Sequence, residues 1–180
     1  MGEIKSSLEL AMERSKKYVV SDEERASIKE REILQKATGL FNRYQSSHLS
    51  LHETVREIER MDERTREKGK EILLSQCAGA LSLEEDPERL FSLIEVMKNR
   101  DLRHPRQEFQ SLLTAYHEKK EEARQRMGLQ LAEALKKEGI YGDAIVPNVE
   151  GNDQWKEVLD SLNHSYSGKL EEIKEALKKL

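Results

Sequence analysis

Apolar residues recur along this chain at steps of three and four, a spacing that lines one face of an α-helix and that no strand can use. A first helix is expected over residues 2–18, with Ile4, Leu8, Ala11 and Met12 on one face and Glu3, Lys5, Glu9 and Glu13 turned away. Ser21 opens a second. It precedes Glu24 by three residues, the capping-box spacing in which each side chain satisfies the other's backbone N–H, and Val20 before it can act as an apolar staple. Ala26, Ile33, Ala37, Leu40, Phe41 and Tyr44 form its apolar face. Residues 45–48 break the pattern. Ser50 and Glu53 then repeat the capping box after Leu49, and Val55, Ile58, Thr65, Ile72 and Leu73 read as one continuing helix. Its middle, residues 59–70, is almost wholly charged, so it is expected to project as an arm or to cover the body thinly.

Residues 80–85 read as a connector. Asp86-Pro87 is a strong helix start, because Asp caps and Pro stands where its missing N–H costs nothing. Leu90, Leu93, Ile94 and Met97 give a short helix, broken at residues 99–105. From Pro105 a long helix carries Phe109, Leu112, Leu113, Tyr116, Ala123, Met127, Leu131, Ala134 and Leu135. Lys136 and Lys137 suit its negative C-terminal end, Gly139 suits the left-handed position just beyond, and Ile140 suits the apolar contact that accompanies such a cap. A last helix over 152–180 has Trp155, Val158, Leu159, Leu162, Tyr166, Leu170, Ile173, Leu177 and Leu180 on its stripe. The expected fold is therefore all-α: a bundle of about five to six amphipathic helices, some long, with one irregular apolar segment at 139–151. It reads as a single helical domain over 1–180, with an extended hairpin or arm around 51–80. No internal repeat suggests a solenoid.

Composition fits long helices that bury a narrow stripe: apolar residues make up 36% and charged residues 37%. Disorder would also tolerate that balance, but the periodicity and a net charge of only −4 argue against it. With 31 basic against 35 acidic residues there is no global basic field for nucleic acid or an anionic membrane. Cys77 is the single cysteine and cannot form an internal disulfide, which points to a reducing, cytoplasmic setting. No apolar run approaches the roughly 20 residues that span a bilayer. The opening residues lack an apolar signal core, and Met1-Gly2 with Ser6 matches a myristoylation pattern too short to weigh.

Candidate chemistry is sparse. His48 and His52 have the four-residue spacing by which two imidazoles share a metal on one helix face, but His48 precedes the Ser50 cap, so the pair straddles a helix boundary. They are weak candidates, and no metal or cofactor is expected. His104, His117 and His164 are isolated, and no histidine has a Glu three residues before it, as carboxylate di-iron bundles require. Cys77 follows Ile72, Leu73 and Leu74 and reads as a buried, inert thiol. Gly-rich phosphate loops are absent. Lys98, Arg100, Arg103, His104 and Arg106 make the most basic cluster, a candidate anion contact beside the start of a helix. It lacks interleaved aromatics for base stacking, so a solvated loop is the stronger reading. Paired carboxylates such as Glu84-Glu85 and Glu121-Glu122 read as charged helix faces. The apolar segment at 139–151 is the most informative: Tyr141, Ile145, Val146, Pro147 and Val149 are candidate interaction residues if exposed, and a plug over the bundle end if buried. The plug is the preferred expectation.

Two blocks, Met1-Gly-Glu-Ile-Lys-Ser-Ser-Leu-Glu-Leu-Ala-Met-Glu-Arg14 and Gly139-Ile-Tyr-Gly-Asp-Ala-Ile-Val-Pro-Asn148 leading to Trp155, resemble a family of uncharacterised bacterial proteins of about this length. The resemblance implies a bacterial, cytoplasmic setting and brings no catalytic residue. The resulting expectation is a non-enzymatic helical interaction or scaffold protein that self-associates or binds a protein partner. Two alternatives stay open: an RNA- or ribosome-associated factor using the 98–106 cluster, and a metal- or small-ligand-binding bundle.

Overall fold

A computed structural model describes residues 6, 21–140, 142 and 145–179. The expected first helix over 2–18, the Val20 staple, the first resemblance block, Tyr141, Ala144 and Leu180 therefore lie outside the described residues, apart from Ser6. The described residues are all-helical and contain no strand. In chain order the helices are α1 (Asp22–Gln45), α2 (Leu51–Glu59), α3 (Glu63–Gly79), α4 (Glu88–Lys98), α5 (Arg103–Lys137) and α6 (Asp153–Lys179). The chain forms two compact units, residues 1–73 and 74–180.

In the first unit, both capping boxes form as expected. Ser21 Oγ accepts from the Glu24 N–H at 3.1 Å while Glu24 accepts from the Ser21 N–H at 3.0 Å. Ser50 and Glu53 do the same at 3.3 and 2.8 Å. The buried face of α1 is Ile33, Ala37, Leu40, Phe41 and Tyr44; Ala26, expected on that face, is exposed, as is every residue of α1 before Ile33.

The continuous helix expected after Ser50 is not found. Residues 51–79 are not one helix: α2 stops at Glu59 and α3 starts at Glu63. The cause is Asp62, whose Oδ1 accepts from the Thr65 N–H at 3.2 Å and so caps a new N-terminus. Arg66 donates to the Met61 carbonyl at 3.0 Å across the same turn. The charged stretch is also anchored. Thr65 and Gly69 within it are buried, Lys68 pairs with Glu30 of α1, and Gly69 comes so close to α2 that a Cβ there would lie 3.3 Å from Met61 Sδ and 3.7 Å from Ile58 Cδ1.

In the second unit, Asp86 Oδ1 accepts from the Glu88 N–H at 3.0 Å, and Pro87 has helical angles, as the sequence implies. Helix α5 begins at Arg103, two residues before Pro105; the ring is tolerated because the first helical N–H groups have no intrahelical acceptor. The core gathers Leu81, Leu83, Phe91, Leu93, Ile94, Leu102, Phe109 and Tyr116, with Phe91 and Phe109 edge to face at 5.6 Å. Helices α5 and α6 form a hairpin: Tyr116 meets Asn163 and Tyr166, while Met127 lies with Trp155, so the two run antiparallel. Thirty-five residues make α5 about 52 Å long.

Three helices end alike. In each, the N–H of the second residue past the last turn reaches back five residues and the one before it reaches back three, the Schellman arrangement. His48 and Ser47 donate to Arg43 and Tyr44 at 2.8 and 3.1 Å; Arg100 and Asn99 to Glu95 and Val96, both at 3.3 Å; Ile140 and Gly139 to Leu135 and Lys136 at 2.9 and 3.2 Å. The left-handed residue is Ser47 (φ 61°), Asn99 (φ 49°) and Gly139 (φ 83°) in turn. Only Gly139 is free of Cβ strain there.

Candidate functional site

The basic cluster is held largely by its own surroundings. Asp101 accepts from both the backbone and Nε of Arg103, at 2.9 and 2.6 Å. That carboxylate also caps α5, and its proton is held less tightly than usual, chiefly by the Arg103 hydrogen bond. Arg106 bridges Glu88 and Glu95 at 3.1 and 3.0 Å with its guanidinium 5.7 Å from the centre of the Phe91 ring. It clamps α4 to the start of α5. Lys98 and Arg100 make no ion pair among the described residues, so of the cluster these two carry the free charge.

His48 lies in the turn before α2, and its Nδ1 sits 2.7 Å from Ser46 Oγ. The Ser46 proton is given to the Asn42 carbonyl at 2.6 Å, so Nδ1–H is the donor to Ser46. His52 is on α2, and the pair does not share a helix face. Among the described residues no group of three or more His, Cys, Asp or Glu side chains could hold a metal. Cys77 is fully buried and burial pushes its thiol up to about 12, so it stays protonated at neutral pH.

The irregular segment divides. Val149 is buried with Met127 and Trp155, and its Cγ2 would touch a Cβ at Gly128. Pro147 is half-buried, whereas Ile145 is 39% and Val146 is 86% exposed, and Ile140 is also exposed. The expected plug is thus Val149, while Ile145 and Val146 face outward. Asn148 Oδ1 accepts from Gly151 at 3.1 Å and Asn152 Oδ1 from Gln154 at 2.8 Å, and these turns launch α6.

A polar node that the sequence does not reveal joins the 81–87 connector to the hairpin. Tyr116 Oη lies 2.6 Å from Glu84 Oε1 and 2.8 Å from the side-chain amide of Asn163. The phenol has one proton, which goes to the carboxylate; Asn163 is satisfied when its amide N–H faces Oη. Lys120 donates to both Glu84 oxygens, at 2.7 and 2.8 Å, and His117 Nε2 meets the Leu83 carbonyl at 3.0 Å. Tyr166 donates to the Ala115 carbonyl at 3.1 Å and packs edge-on against Tyr116. Lys120 first, then Tyr116, lowers the Glu84 pKa; burial first, then Glu84, raises that of Tyr116. Both groups move away from neutrality, so neither is poised to exchange a proton with a substrate at pH 7. The node is built to hold the connector.

Two further concavities among the described residues lie along the hairpin. One groove of about 530 Å³ runs between Lys119, Ala123 and Met127 on α5 and Glu157, Val158 and Leu162 on α6. A second of the same size lies between Leu112 and Ala115 and Lys169 and Ile173. Comparison with models of known families, with curated proteins and with solved structures finds no match. Among the described residues, no helix is long and apolar enough to cross a membrane.

Proposed function

We propose that this chain is a non-enzymatic helical interaction or scaffold protein that self-associates through the α5–α6 hairpin. The observation that carries this reading is the incomplete burial of the hairpin stripe. Along α6 only Trp155, Ile173 and Leu177 are buried, while Val158, Leu159, Leu162, Tyr166 and Leu170 are half-covered. On α5, Ala123 and Leu131, which pack at the same seam, are likewise half-covered. Two antiparallel helices bury one seam and leave the flanks of that seam wet; a further surface laid over them removes that apolar area from water at about 25 cal/mol per Å². Ile145 and Val146 add apolar area at the turn between the helices.

The polar node supports the non-enzymatic part, since its titrating groups are tuned away from neutral pH. The bacterial, cytoplasmic setting rests on the resemblance of the two sequence blocks and on the single, protonated thiol. Size-exclusion chromatography with light scattering tests the reading. A concentration-dependent mass above that of the 20.9 kDa monomer is expected, and a monomer at all concentrations sinks it.

A further inference from the structure

The two grooves share Ser165 in their walls and so form one continuous trough along a single face of the hairpin. Its α5 wall runs from Glu108 to Met127, about 28 Å of helix. Its floor is apolar. Its rim is charged in a pattern set by the antiparallel helices. Arg126 on α5 lies level with Glu157 on α6: Met127 packs with Trp155, which sets the register, and Arg126, Met127 and Glu157 line the same end of the trough. At the other end, Glu108 on α5 lies level with Lys169 and Glu172 on α6. Other charges on the two helices are commonly satisfied within their own helix, as in Lys119–Glu122 on the trough wall and Lys174–Glu171. Among the described residues, Glu108, Arg126, Glu157 and Lys169 make no ion pair.

We propose that the trough is closed by the same trough of a second copy of this chain, about a two-fold axis parallel to the helices. This rests on the self-association reading and adds the surface and the register. Such an axis sets α5 of each copy against α6 of the other at the same height. Arg126 then meets Glu157 of the partner subunit, and symmetry repeats the pair. Glu108 meets Lys169 of the partner subunit, which offsets the neighbouring Glu172. The half-covered Val158 and Leu162 become the centre of a four-helix core, and their flanking charges fix which copy faces which. The Arg126–Glu157 end of the rim is self-complementary, and its pairing, made twice by symmetry, favours a second copy over an unrelated helix, while the Glu108 end faces both Lys169 and Glu172.

Sedimentation velocity on the full chain tests this, with Arg126→Glu, Glu157→Arg and the double variant beside the parent. Both changed residues are at helical surface positions, and circular dichroism melts check that folding is retained. The parent should dimerise, each single reversal should weaken the dimer by about tenfold or more, and the double variant should recover most of the loss. Ser161→Arg, which puts a bulky cation into the trough wall from an exposed position, should also dissociate the dimer. A parent that stays monomeric overturns both this proposal and the reading it rests on. A parent that associates while all four variants associate equally well overturns the trough alone. Single reversals that dissociate without recovery in the double variant overturn the two-fold register.

Discussion

Tyr116 and Glu84, 32 residues apart in sequence, meet through a 2.6 Å hydrogen bond that fastens the connector before α4 to the middle of α5. The phenol is otherwise buried, and the acceptor is ionised. Removing only the hydroxyl, with Tyr116→Phe, strands neither Asn163 nor Glu84 in a dry interior, since Lys120 still holds the carboxylate. A loss of about 1.5 kcal/mol in urea unfolding is expected, the lower end for a bond to a charged group. A loss below about 0.3 kcal/mol would mean that solvent replaces the bond without cost.

The same pair sets a pH dependence at both ends. Glu84 has a lowered pKa, so its contribution is fully present above the ordinary glutamate value of 4.5 and is lost as pH falls through the lower folded value. Tyr116 has a raised pKa, so its contribution is fully present below the ordinary tyrosine value of 10.0 and fades as pH rises through the higher folded value. The stability gap between the parent and Tyr116→Phe should be level from about pH 5 to about pH 9 and shrink on either side. Denaturant titrations across that range check it, and a gap that widens toward acid contradicts the assignment of charge.

Ser47 occupies with a side chain the left-handed position that Gly139 occupies without one. A β-carbon there costs roughly 1–2 kcal/mol, part of which glycine gives back through its freedom in the unfolded chain. Ser47→Gly should therefore stabilise by about 0.5–1 kcal/mol. Asn99→Gly should gain less, since asparagine already tolerates the conformation. Thermal melts of both variants rank them, and the reverse order would be inconsistent with strain at Ser47.

Two helix-interior glycines should behave differently. A Cβ at Gly39 would meet nothing within 4 Å, so Gly39→Ala should return the full helix-propensity gain of about 1 kcal/mol. At Gly69 the added carbon presses on Met61 Sδ at 3.3 Å, so Gly69→Ala should return much less, and Gly69→Leu should cost about 1–3 kcal/mol. Equal gains at Gly39 and Gly69 would argue against the close approach of α2 and α3.

Local signals were readable where a single side chain acts on its own backbone. Ser21, Ser50, Asp86 and Gly139 mark their helix ends by chemistry that operates over two to five residues, and each acts as expected. Asp62 works by the same chemistry but stands inside the run from Glu59 to Lys70, where an aspartate looks like one more solvated charge. The absence of Gly or Pro nearby hides the break. Arg106 and Glu84 were misread for a related reason: charge runs look solvated until partners 11 to 36 residues away are brought to them. The hairpin segment was half legible. Its apolar content was plain, but which of Ile145, Val146 and Val149 turns inward depends on the Asn148 and Asn152 turns and on the space that Gly128 leaves on α5.

The burial of Cys77 gives the molecule a built-in chronometer. A thiol that is sealed off and protonated at neutral pH reacts with a disulfide reagent only during the moments when its surroundings open. Labelling kinetics on the unaltered chain therefore report how often the end of α3 comes apart, and at high reagent concentration they report the opening rate itself.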